Sequence, residues 1–116
     1  MLIRSQDKEI LINFNNSPTI KIMGTKGDVI IICSLDTYET FAIGNYSTKA
    51  KAMKVLDMIQ EAYEEYKIAC TFLTGFTGHR AIVESNDIRV NGYEELIKSF
   101  KKSMVFQMPE DSEVEA

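Results

Sequence analysis

Along the first 46 residues, apolar side chains recur at every second position, the period of strands with one buried face. Leu2–Arg4 reads as extended chain. Glu9–Phe14 carries Ile10, Ile12 and Phe14 on one side, and Thr19–Met23 alternates in the same way. Asp28–Leu35 is apolar on both faces, as expected of a central strand. Thr40–Tyr46 completes the set, and its Gly44 marks a bulge or a close approach. Polar turns separate these runs at Ser5–Lys8, Asn15–Pro18, Gly24–Gly27 and Asp36–Thr37, where Gly, Asn, Asp and Pro supply turn geometry. Short connections between successive strands predict an antiparallel meander.

The period changes at Ser47, a candidate helix N-cap. Ala52, Val55, Leu56, Ile59, Ala62, Tyr63 and Tyr66 form one helical stripe, and Lys49, Lys51, Lys54, Asp57, Glu61, Glu64 and Glu65 take the other face. A long helix from Thr48 to about Ala69 is expected to lie across the sheet. Cys70–Val90 fits neither period, although His79–Glu84 has the composition of a strand. A second, shorter helix begins near Asn91, which with Glu94 has capping-box spacing, and Tyr93, Leu96, Ile97 and Phe100 give it an apolar face. Met104–Met108 reads as a last short strand stopped by Pro109. The fold class is therefore α+β: an N-terminal antiparallel meander, a long amphipathic helix packed on it, a short helix and a short C-terminal strand. One domain spans 1–109, followed by an acidic tail over 110–116 expected to be disordered.

The 116 residues suit a single core. The net charge of −4 comes from that tail: Glu110, Asp111, Glu113 and Glu115 account for 4 of 17 acids, leaving 13 against 13 bases. A neutral body argues against binding duplex nucleic acid, which needs several cations to displace counterions. It leaves room for a small anionic ligand. No apolar run is long enough to cross a bilayer, and Met1–Ile10 has no signal-peptide pattern, so the expected compartment is the cytoplasm. Cys33 and Cys70 are then expected as reduced thiols, and with His79 they have no metal-site spacing, so neither metal nor cofactor is expected.

No G-x-S-x-G occurs, and the lone His79 has no partner at a known catalytic spacing. Gly75-x-x-Gly78 is followed by His79-Arg80, which is not a phosphate loop. The expectation is a binding module, not an enzyme. Its candidate pocket lies in Cys70–Asn91, too long for an ordinary connection. Phe76 is suited to stack a base, and the neighbouring Phe72 equally suits the core. Gly75 and Gly78 allow backbone N–H groups to approach a phosphate. Arg80 and Arg89 are forked donors, and Asn86 and Asn91 can read a base edge. Each also has an ordinary structural use: arginines at the surface, Asn86 in a turn, Asn91 as a cap.

Met1–Glu9, Ile43–Thr48, Val55–Ile59 and the ending Val105–Pro109 resemble a group of small proteins encoded by phages and prophages of Firmicutes. In its sheet-then-helices order and length the chain is similar to the first type of Thoeris anti-defence protein. That resemblance implies a phage protein that sequesters nucleotide immune signals without cleaving them. The ligands would be cyclic ADP-ribose isomers, with cyclic oligonucleotides at a separate site in some members. It also implies homodimers and hexamers, and a pocket built from an aromatic, an asparagine and arginines. Phe76 and Asn86 match that pocket by type, and Arg80, Arg89 and Arg4 are the candidate arginines. The rival readings are an inhibitor of a host enzyme whose acidic tail mimics nucleic acid, a small virion or assembly protein, and an enzyme without a recognisable motif.

Overall fold

The computed structural model describes residues 1–16, 18–35, 39–83, 98 and 100–115, with the side chains of 72–83 outside that description. Six strands occur among these residues: β1 (Leu2–Arg4), β2 (Leu11–Asn13), β3 (Thr19–Thr25), β4 (Asp28–Ser34), β5 (Thr40–Tyr46) and β6 (Val105–Gln107). One long helix, α1 (Lys49–Val83), separates β5 from β6, and the chain is again helical at 98 and 100–103. The architecture is α+β, with antiparallel pairing throughout the N-terminal strands.

The strands divide into two three-stranded sheets, ordered β2-β1-β6 and β3-β4-β5. Strands β2 and β3, consecutive in sequence, do not pair, so the expected meander breaks there. A 3-10 turn at Phe14–Asn16 redirects the chain between them. Strand β6 adds to β1 in parallel, with Leu2 opposite Val105 and Arg4 opposite Gln107. Parallel strands need a long crossover, and here the connection from β1 to β6 runs through residues 5–104, with β2–β5 and α1 among them.

In the β3-β4-β5 sheet, Ile22 lies opposite Ile31, and Ile20 opposite Cys33, on the face turned to the helix. Lys26 and Gly27 close the β3–β4 hairpin after the Thr25–Asp28 pair, and Gly27 takes φ +91°, which a side chain would resist. The β4–β5 register shifts between Ile31 and Ile32, which face Gly44 and Ala42. Ile43 is the extra residue of this bulge. The shift has a packing reason. By strict alternation, Phe41 and Ile43 would face inward and Tyr46 outward. One inserted residue turns Tyr46 inward as well. Ile43 and Tyr46 are both buried, Tyr46 completely.

The bulge also gives Gly44 its role. A Cβ there would lie 2.8 Å from the Tyr46 ring and 3.0 Å from the Met108 methyl. The Tyr46 hydroxyl donates to the Pro109 carbonyl at 2.7 Å. Gln6 fastens the same corner. Its N–H donates to the carbonyl of the bulged Ile43 at 2.8 Å. Its side-chain amide accepts from Asn45 N–H at 2.8 Å and donates to the Asn45 and Pro109 carbonyls at 3.2 and 3.1 Å. Gln6 thus pairs with the free edge of β5 as a one-residue strand would. Ser5, buried beside it, accepts Ile10 N–H on its hydroxyl and Gln107 Nε2 on its carbonyl.

The stripe of α1 packs as its periodicity predicts. Ala52, Val55 and Ile59 are buried, and Leu56, Ala62, Tyr63 and Tyr66 are partly buried against the same core. The cap is one residue later than expected: Thr48 Oγ1 accepts Lys51 N–H at 3.1 Å, while Ser47 turns to Asp111. Thirty-five residues of helix reach about 52 Å, against about 23 Å for a seven-residue strand, so α1 runs well past the sheet it crosses. Beyond Ile59 it meets Phe14 through Tyr63, with ring centroids 4.7 Å apart, and Phe100 through Tyr66 at 5.9 Å. The helix continues to Val83, so 70–83 is neither loop nor strand. Extending an established helix adds one hydrogen bond per residue, enough to override the two glycines in this stretch, each costing about 1 kcal/mol relative to alanine.

The segment after Pro109 corrects a second expectation, because it is docked and not disordered. Asp111–Glu113 forms a 3-10 turn, with Glu113 accepting Glu110 N–H at 3.0 Å. Asp111 accepts Ser47 N–H at 2.8 Å and Ser47 Oγ–H at 3.0 Å, and pairs with Lys51 at 3.4 Å. Val114 is buried in the core, and Lys54 donates to the Glu115 carbonyl. Composition marks this stretch as solvated, but one apolar anchor and one well-placed carboxylate hold it.

Gly44→Ala should destabilise the protein by about 1–3 kcal/mol, because Tyr46 must leave its position to admit the methyl group. Tyr46→Phe should cost about 1 kcal/mol, since Pro109 keeps its bond from Gln6. Urea unfolding midpoints with unchanged m-values check both, and a milder effect for Gly44→Ala than for Tyr46→Phe would contradict the packing described.

Candidate functional site

The residues singled out from sequence fall in three groups. Gly75, Phe76, Gly78 and Arg80 lie on the backbone of α1, with side chains outside the described residues. Asn86, Arg89 and Asn91 lie outside the described residues altogether. Arg4 is on β1, exposed, and its Nε donates to the Lys8 carbonyl at 3.2 Å. That bond steadies the turn in which Lys8 takes φ +67°.

The described residues form an open cleft of about 440 Å³ between the β3–β4 hairpin and the start of α1. Among the described residues, Ile22 and Val29 face it from the helix side of the sheet, Met23, Gly24, Thr25 and Lys26 border it along the hairpin, and Ser47, Thr48 and Lys49 border it at the start of α1. The volume falls within the usual span of small-molecule sites, about 300–1,000 Å³. Lys26 and Lys49 are exposed, and the salt bridge found among the described residues is Lys51–Asp111. Among the described residues, the lining contains no carboxylate. Asp28, on the same hairpin, accepts from Asn45 Nδ2 at 2.9 Å and does not line the cleft. The sequence shows Gly24–Gly27 only as a turn, and nothing local reveals that it borders the same cleft as the start of α1.

The C-terminal strap fixes one wall. Ser47 lines the cleft while giving both its N–H and its hydroxyl proton to Asp111. Hydrogen bonds from the Ser47 backbone, then from its hydroxyl, with the nearby Lys51 charge, outweigh partial desolvation and hold the Asp111 carboxyl below its ordinary 3.8. Burial, reinforced by Glu110, Asp111 and Glu113, pushes the Tyr46 phenol well above its ordinary 10.0. Elsewhere, burial pushes the Cys33 thiol up, as suits a core residue on β4. A second polar cluster surrounds the N-terminal amine. Met1 donates to Asn15 Oδ1 at 3.2 Å, and burial lowers its pKa in the vicinity of Cys70 and Lys67. Among the described residues, no group of three His, Cys, Asp or Glu side chains is placed to hold a metal ion, and no helix is long and apolar enough to cross a membrane.

No protein-family model, curated protein or solved structure matches the chain.

The two perturbed groups set opposite pH limits. Asp111 binds its proton more weakly in the fold, so its contribution is complete above about pH 4 and is lost as pH falls through the depressed value. Tyr46 holds its proton more tightly in the fold, so its contribution is complete below pH 10 and is lost as pH rises beyond it. Melting temperatures measured from pH 2 to 11 should show the wild type and Asp111→Asn converging at the acid end. Tyr46→Phe should flatten the alkaline limb. Parallel acid limbs for wild type and Asp111→Asn would show that the strap carboxylate contributes nothing.

Proposed function

We propose that the protein is a phage anti-defence module that binds and sequesters nucleotide immune signals without cleaving them. Its ligands are cyclic ADP-ribose isomers, with cyclic oligonucleotides as a second class. It acts in the host cytoplasm as a homodimer or a larger homo-oligomer. One observation carries the reading. Three of the sequence stretches that resemble small phage and prophage proteins meet at a single corner of the fold. Gln6 comes from the opening, Asn45 and Tyr46 from the middle, and Gln107, Met108 and Pro109 from the ending. Those stretches are therefore tied together by the requirements of one architecture, which supports a common fold over a coincidence of short strings.

Sequestration needs tight binding and no turnover, so a rigid pocket is favoured because little ordering is lost on association. A symmetric interface presents each residue twice, which lets a chain with few arginines hold a di-anion. The pocket residues are Phe76 for the base, Asn86 and Asn91 for its edge, and Arg80, Arg89 and Arg4 for phosphate; Gly75 and Gly78 stand inside α1, where their N–H groups serve the helix, so the backbone approach to phosphate expected of them is corrected. The docked strap draws support away from the rival in which the acidic tail mimics nucleic acid, because Asp111 is spent on Ser47 and Lys51.

Titration calorimetry against cyclic ADP-ribose isomers and cyclic di- and trinucleotides tests this reading. Wild type should bind at least one isomer at micromolar or lower dissociation constant. Phe76→Ala and Asn86→Ala should each lose at least tenfold with circular dichroism unchanged. Heating the complex should return the ligand chemically intact. Recovery of a cleaved product would make the protein an enzyme, and unaltered titrations in both variants would remove the pocket.

A further inference from the structure

We propose that the acidic C-terminal strap occupies, in cis, a docking site for an acidic peptide of a partner protein, one with a carboxylate and an aliphatic side chain three residues apart. The seat belongs to the body of the protein, and the strap shows what it recognises. Asp111 Oδ1 accepts from the Ser47 N–H and from the Ser47 hydroxyl, at 2.8 and 3.0 Å. Lys51 Nζ donates to the Asp111 carbonyl at 3.0 Å and pairs with Oδ2 at 3.4 Å. Lys54 donates to the Glu115 carbonyl. Val114 places its side chain in the core at 4% exposure. Two of these contacts engage main-chain carbonyls, which every peptide has. The others select a carboxylate and a branched aliphatic group at i and i+3, a spacing that the 3-10 turn Asp111–Glu113 brings to one side. Thr48 Oγ1 already takes the Lys51 N–H, so recognition lies with Ser47, the two lysines and the Val114 slot, and not with a bare helix end.

The strap can leave this seat without disturbing the fold. Its bonds to Ser47 are exposed, and the Lys51 and Asp111 side chains are 22% and 41% exposed. Exposed ion pairs contribute little, which leaves Val114 as the main anchor. Pro109 is fixed independently, since its carbonyl accepts from the Tyr46 hydroxyl at 2.7 Å and from Gln6 Nε2 at 3.1 Å. Rotation at Glu110, which is extended at φ −70° and ψ 156°, therefore swings the strap out with β6 in place. Segments held by few buried contacts open ahead of the whole fold. An open strap bares Lys51, Lys54, both Ser47 donors and an apolar slot, which complement an acidic peptide with one aliphatic residue. Tethered beside its seat, the strap competes at an effective concentration of about millimolar, and so sets the threshold a partner must exceed. The site does not depend on the nucleotide reading and uses none of its residues.

The probe is an acetylated, amidated peptide with the sequence of residues 109–116, titrated into the isotope-labelled full-length protein. Val114→Ser loosens the strap in cis, so this variant should bind the peptide saturably and at least tenfold more tightly than wild type, with amide shifts centred on residues 47–55. Peptides carrying Val114→Ser or Asp111→Asn should bind that variant at least tenfold and threefold more weakly. Adding Lys51→Glu and Lys54→Glu to the variant should cost at least tenfold with circular dichroism unchanged. In the wild type, the Glu113 and Val114 amides should exchange with solvent at least tenfold faster than those of β4, a measurement that holds even where Val114→Ser fails to fold. Equal peptide affinity in wild type and Val114→Ser, equal binding of a scrambled peptide, shifts away from the seat, or exchange of the strap amides at the rate of β4 would each overturn the proposal.

Discussion

The bulge in β5 is the constraint on which the rest of the molecule depends. It inserts one residue so that both Ile43 and Tyr46 can enter the core, and the carbonyl of the inserted Ile43 accepts Gln6 N–H. A buried or half-buried carbonyl left unpaired costs free energy comparable to a lost hydrogen bond. Gln6 meets that need from the other sheet, then uses its side-chain amide to satisfy Asn45 on both backbone groups. The two sheets are joined here by polar complementarity and not by a shared ladder. The exposed edge of β5, otherwise a template for unwanted pairing, is covered by the same contact.

The C-terminal strand and the strap after it extend that logic toward the helix. Strand β6 needs β1 as a partner, and Pro109 then delivers its carbonyl to Tyr46 and Gln6. Because Pro109 is fixed, Asp111 reaches Ser47 and Lys51, and Val114 reaches the core beside the first turns of α1. The chain's last acids therefore brace the beginning of its longest helix. This explains why the start of α1 and the hairpin opposite it can keep a cleft open: the wall containing Ser47 is held from behind.

The perturbed groups among the described residues, the Met1 amine, Asp7, Cys33, Tyr46, Tyr66 and Asp111, are engaged in strap, core, turn or neighbouring side-chain contacts.

Sequence alone determined the elements whose signal is local. Period-two alternation located the strands, the 52-55-56-59 stripe located the buried face of α1, and the glycine pair located the β3–β4 turn. It anticipated close packing at Gly44 without naming Tyr46 and Met108 as the reason. What only the tertiary structure decided concerns partners distant along the chain. The split into two sheets, the parallel union of β1 with β6, the docking of an acidic tail and the cleft between the β3–β4 hairpin and the start of α1 all depend on contacts between residues tens of positions apart. The continuation of α1 to Val83 was hidden for a related reason: propensity is a weak signal where glycines interrupt the stripe, and helix growth from a packed first half overrides it. The proposed nucleotide pocket stays with the residue types of Phe76, Asn86 and their neighbours, while the cleft became visible only when hairpin and helix were brought face to face, since no periodicity encodes the space between two elements.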